Sequence, residues 1–268
     1  MKRVWTISTL ALALAAPALL AQPKQPAPKS KGETEALQAV FGTQDPDGRI
    51  KACEELLTKY ADTDFKALTL YFEAASYQQK NDYEKMVVYA ERAIQADPKQ
   101  YPSLLMLAKG IAQRTREFDL DREEKLTKAE KYAKDGMEIA KAAPKPNPQI
   151  TDQQWEQAKN EYIAQGHEAL GYAAMARKNS DGAIAEMKQA LDLVPDPVTM
   201  VRLAAAYDQA KKPDEALSLL EKVMAMTDLH PSVRQFAQAE RVRALQLKSG
   251  GAPPASATAP PQVEIKKQ

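Results

Sequence analysis

The sequence predicts an all-α protein whose antiparallel helix pairs stack into a solenoid, and two observations carry that expectation. The first is a ladder of small residues recurring at fixed offsets. Gly171, Ala183 and Ala190 stand 12 and then 7 residues apart, and Pro195 follows after 5 more. Ala74, Met86, Ala93 and Pro98 keep the same intervals; Ala204, Ala216 and Val223 keep the first two, with the proline displaced to Pro231. The second is apolar spacing of helical period through the body of the chain, with no convincing strand. Alanine or glycine at such positions lets paired helices approach to the short end of the usual packing distance.

Taken in order, the chain opens with Lys2 and Arg3 and an apolar run from Val4 to Leu20, broken only by Thr6, Ser8 and Thr9. Small-residue sites at Ala16-Pro17-Ala18 and Leu19-Leu20-Ala21 complete the outline of a cleaved secretory signal over 1–21. The run falls short of the ~20 residues that a spanning helix needs. The expected product is a periplasmic or secreted protein without stable membrane insertion. With no cysteine near the cleavage region, lipid attachment there is excluded. Residues 22–31 and 249–268, rich in Pro, Lys, Ala and Gln, read as disordered segments by composition. The folded body is then 32–248, one elongated array.

Glu33 to Phe41 reads as a short helix. Asp45 as N-cap with Pro46 in the first turn launches the next, to about Tyr60. Leu68–Lys80 and Tyr83–Gln95 form a pair around an Asn81-Asp82 turn. A second pair starts near Pro102, but Ala108 and Ala129 are 21 residues apart instead of 12, which places about nine inserted residues around 116–124. Pro144, Pro146 and Pro148 interrupt the array. A long helix capped by Thr151 or Asp152 then runs to about Lys178, followed by a pair within Pro197–Thr227. Pro231 begins a terminal helix to about Leu247.

These ladders, with their prolines, resemble the tetratricopeptide repeat, a helix–turn–helix of ~34 residues. The resemblance covers most of 65–228 and implies a right-handed solenoid that binds a protein or peptide in its concave groove. In that family the first helix of each pair lines the groove. Position by position, the candidates are Leu68, Tyr71 and Gln78, then Leu105 and Lys109, then Glu168, Tyr172 and Met175, and finally Arg202 and Asp208. Lys109 and Arg202 do not reproduce the Lys/Asn pattern with which some members grip a peptide C-terminus. The alternative role is a structural spacer or oligomerising subunit of an envelope complex; the oligomeric state is left open.

Other functions find little footing. Without Lys2 and Arg3, 35 basic residues face 36 acidic ones, so no basic excess exists to hold nucleic acid. No nucleophile-elbow, Walker or dinucleotide fingerprint occurs, so neither an enzyme nor a cofactor is expected. His167 and His230 have no partners at metal-ligand spacing. Asp119, Asp121, Glu123 and Glu130 fall at intervals of a calcium loop, but Glu124 stands where that loop needs glycine, and no metal site is expected. The lone Cys53 shares a helical face with Ile50, Leu57 and Tyr60 and reads as a small buried hydrophobe.

Overall fold

The computed structural model describes residues 26–146 and 149–250. The expected signal peptide, the first four residues of the expected linker and all of the expected tail beyond Gly250 lie outside the described residues. Among the described residues there are eleven α-helices and no strand. They are α1 (Lys31–Gly42), α2 (Pro46–Lys59), α3 (Lys66–Gln79), α4 (Tyr83–Ala96), α5 (Tyr101–Arg114), α6 (Arg122–Ala142), α7 (Asp152–Ala176), α8 (Ser180–Leu193), α9 (Pro197–Gln209), α10 (Pro213–Met224) and α11 (Pro231–Lys248). Neighbours in sequence pack as antiparallel pairs, most extensively α3 with α4, α5 with α6 and α7 with α8. No helix among the described residues is long and apolar enough to cross a membrane.

Local chemistry sets most boundaries. Asp45 caps α2 by accepting from the Gly48 amide at 2.7 Å, with Pro46 at the first position. Thr151 and Gln154 form a reciprocal capping box at the start of α7. Ser30, inside the expected linker, already caps α1. The turns after α3, α7 and α9 share one backbone design. Asn81, Lys178 and Lys211 each adopt a left-handed conformation, with φ of 63°, 60° and 59°. In each turn the following amide reaches back five residues, to the carbonyl of Tyr77, Ala174 or Tyr207. This is a Schellman-type closure. It lets α4 and α8 begin at once, under the side-chain caps of Asp82 and Asn179.

The inserted unit departs from this design. Measured from the ladder residues, α5 gains one residue at its end, the connection gains four, and α6 gains four at its start. The nine extra residues thus divide almost equally between loop and helix. The ladder does what its spacing implies. Ala74, Ala90, Ala93, Ala183 and Ala190 are buried, and a Cβ on Gly171 would stand 2.9 Å from Met187 on α8. One apolar core runs from Ile50 on α2 to Leu203 on α9, and a second joins α9, α10 and α11 around Leu220 and Phe236. Cys53 is fully buried beside Leu37, Val40 and Leu56. That burial pushes its thiol up to about 12, so it is unreactive near neutral pH.

Candidate partner-binding face

From α5 to α11, the first helices of successive units touch through side chains in chain order, and the line of contact is polar. Lys109 on α5 forms an ion pair with Glu168 on α7. The second Glu168 oxygen accepts from the Thr199 hydroxyl on α9 at 2.8 Å. Thr199 is held in turn by Asp196, the N-cap of α9, whose carboxylate accepts from its amide at 2.7 Å. Burial alone would lower the Lys109 ammonium, but Glu168 beside it outweighs that and holds it above its ordinary value. The Lys109 ammonium therefore keeps its charge.

Arg202 on α9 lies near two rings, 5.7 Å from the centroid of Tyr172 on α7 and 4.5 Å from that of Phe236 on α11. Cation–π contacts of this kind strengthen as water is excluded. Farther along, Asp208 on α9 meets Glu240 on α11, both almost wholly buried. Burial pushes the Asp208 carboxyl up to about 7, the Glu240 charge adds to the rise, and Arg243 opposes it. Burial also raises Glu240, against Arg243 and Arg202. Burial beside a second carboxyl therefore favours the protonated form of Asp208.

A second cluster is aromatic. Tyr101 on α5 meets the ring of Tyr162 on α7 edge-on at 5.0 Å, and the Tyr71 hydroxyl on α3 is hydrogen-bonded to Tyr162.

The expected groove residues therefore divide. Leu68, Tyr71 and Met175 are half-buried and Gln78 is exposed, so each keeps surface open to a partner. Lys109 and Glu168 also reach solvent, but they are spent on each other. Four placements need correction. Leu105 is fully buried, packed with Met137 and Ile163, because Gly136 leaves the space its side chain fills and Gly166 leaves room for Met137 beside it. Tyr172, Arg202 and Asp208 are below a tenth exposed, each turned against the next first helix rather than into an open groove. Thr199, Phe236 and Glu240 escaped the sequence reading. Glu240 had a legible signal: an acid on the apolar Val233–Phe236–Ala237–Ala244 face of the last helix.

The acidic run resolves into ion pairs. Asp119 and Asp121 face Lys125 at 3.1 and 2.9 Å, while Glu123 and Glu130 both meet Arg177. Among the described residues no group of acidic, His and Cys side chains could hold a metal ion. His167 contacts Glu186 on α8 at 2.7 Å, and the His230 side chain caps α11.

Residues 67–100 match the family model of the tetratricopeptide repeat. The match spans α3, α4 and the turn between them. A crystal structure of TTC0263, a thermophilic TPR protein of Thermus thermophilus, superposes with a TM-score of 0.56 at 18% identity, covering 78% of this chain and 99% of that one. The assembly chaperone of RpL4, Acl4, matches with a TM-score of 0.44 at 12% identity, over 81% of this chain and 98% of its own. No curated protein matches in sequence. Residues 67–100 thus match a tetratricopeptide repeat, and the described residues share the all-α solenoid fold of the Thermus protein.

Proposed function

We propose that the chain is a non-catalytic scaffold of the cell envelope that holds a protein or peptide along its first-helix face. The observation that carries this reading is the repeat architecture itself. Tetratricopeptide units are interaction modules, and here the ionic contacts between first helices fix the spacing of that face in advance. Preorganisation of this kind lowers the ordering cost of binding. The open positions Leu68, Tyr71, Gln78 and Met175 supply apolar and amide contacts at its edge. Export directed by residues 1–21 would deliver the scaffold to the periplasm or outside the cell.

Photocrosslinkers at Ala75 and Gln78 test the reading in the native host, against a control at the exposed Gln189 on α8. One discrete adduct from the first two sites and none from the control is the expected result. Equal labelling from all three overturns it. Fractionation of the full-length chain tests the address, and an intact Met1 form held in the inner membrane overturns that part.

A further inference from the structure

The connection between α5 and α6 shows two large apolar side chains in water. Phe118 is 91% and Leu120 108% exposed. The loop around them is tied down on several sides. Lys178 pairs with Glu117 and Lys125 with Asp119 and Asp121. Arg122 donates to the Ala176 carbonyl at the end of α7. The Arg116 amide donates to the Asp119 carboxylate at 3.2 Å. The charges of the Glu117–Asp121 stretch are thus engaged within the chain, and its apolar residues remain displayed.

A receptacle lies on the same unit. Between α4 and α6 a cleft of about 410 Å³ is lined by Ile94, Leu104, Tyr132 and Ile139, with Lys131, Asp135 and Glu138 at its edge. That volume sits near the low end for pockets that enclose a ligand, roughly 300–1,000 Å³, and suits one or two side chains. The loop precedes the first residue of α6, whereas the cleft lies about 20 Å farther along the same helix at ~1.5 Å per residue. Its ion pairs hold the loop at that end, so it does not reach the cleft of its own chain.

We infer that the Phe118–Leu120 loop of one copy docks in the Ile94–Tyr132–Ile139 cleft of a second copy. Charge agrees with this occupant: Lys131 and Asp135 pair with each other at the rim, which leaves Glu138 to face the exposed Arg116 beside the knob. Knob and hole are different surfaces, so the contact is heterologous and propagates head to tail. Two side chains bury far less than the roughly 1,200–2,000 Å² of a stable interface. The association is accordingly weak, with a dissociation constant on the order of 10–100 µM, and strengthens when copies are concentrated. The inference does not rest on partner binding at the first-helix face.

Sedimentation equilibrium of the signal-free chain tests it. Wild type should gain mass continuously with concentration, whereas F118D/L120D should remain monomeric with unchanged melting, because both side chains lie in solvent. An Ile139→Arg chain, whose melting is checked in parallel, should also be monomeric. Mixing it with F118D/L120D should restore a species of two chains and no larger, since one intact knob then meets one intact hole. The inference is overturned if wild type stays monomeric, if F118D/L120D still associates, or if the mixture stays monomeric. It is also overturned if a monomeric wild type floats with phosphatidylglycerol/phosphatidylethanolamine vesicles and F118D/L120D does not, which would give the patch to a lipid surface.

Discussion

The two ends of the polar seam bury charge in opposite ways. At the α5–α7 end, Lys109 and Glu168 have opposite signs, and Thr199 satisfies the remaining carboxylate oxygen. At the α9–α11 end, Asp208 and Glu240 have the same sign, and both carboxyls are raised. The first arrangement is held by attraction, which keeps the Lys109 ammonium charged. The second combines apolar packing around Phe236 with an Arg243–Glu240 ion pair at 3.6 Å, and burial there favours the protonated form of Asp208. The difference teaches that the array is fastened at its centre and titratable at its C-terminal end.

The largest expected effect breaks the first end. Lys109→Met leaves Glu168 facing a low-dielectric contact without its cation and should cost about 2–3 kcal/mol, less than a fully buried pair would, because Lys109 still reaches water. Urea unfolding measures this, and adding Glu168→Leu should recover most of the loss. A Lys109→Met chain as stable as wild type would show that the pair does not hold α5 to α7.

The other end should answer to pH instead. Because the folded Asp208 pKa lies above its unfolded value, stability from this group is present below pH 4 and is lost as pH rises toward 7. The loss runs at about 1.4 kcal/mol per pH unit while only the folded form keeps the proton. Asp208→Asn removes the charge and keeps the shape. It should therefore raise stability by roughly 1–3 kcal/mol at pH 8 and change little at pH 4. Melting curves across that range decide the matter, and a gain independent of pH would exclude titration as the cause. Glu73, buried on α3 and pushed by its burial up to about 7, predisposes the N-terminal half to the same sign of dependence.

Two smaller changes calibrate the comparison away from the seam. Ala183→Leu overfills the α7–α8 contact and should cost about 1–3 kcal/mol equally at pH 4 and pH 8. A pH-dependent penalty there would mean that the titration is not confined to the raised carboxyls. Lys211→Gly relieves a left-handed residue in the turn after α9 and should stabilise by about 0.5–1 kcal/mol. Thermal unfolding reads that gain, and a loss would show that the side chain contributes more than the backbone strain it causes.

The fold was largely legible because its signals are local. The twelve-and-seven ladder marks helix contacts directly, the Asp45-Pro46 and Thr151 starts are backbone chemistry, and the missing register between Ala108 and Ala129 announced the insertion. The candidate site was legible only in part. Groove positions follow from the period of one helix at a time, whereas burial of Tyr172, Arg202 and Asp208 depends on how near the neighbouring first helix comes. That distance is set by residues elsewhere. Gly136 and Gly166 admit Leu105 between α6 and α7, and a Cβ on Gly166 would collide with Met137. Periodicity contains no term for such lateral spacing. Nor does it say that an inserted loop, once pinned by Lys125 and Lys178, will leave Phe118 and Leu120 outside.

The seam also bears on how such an array can change over generations. The unit recognised by the family model, 67–100, is one whose first helix contributes no side chain to the ionic line that begins at Lys109. That unit is fastened by other particular bonds, Lys80 to Asp47 on α2, Glu91 to Lys128 on α6 and Tyr71 to Tyr162 on α7, which a duplication would leave without partners. A duplicated α7–α8 unit would likewise bring a second Glu168 without a second Lys109, and a duplicated α9–α10 unit a second Asp208 beside no Glu240. Once neighbours are joined residue to residue, the repeats stop being copies and become parts with fixed places.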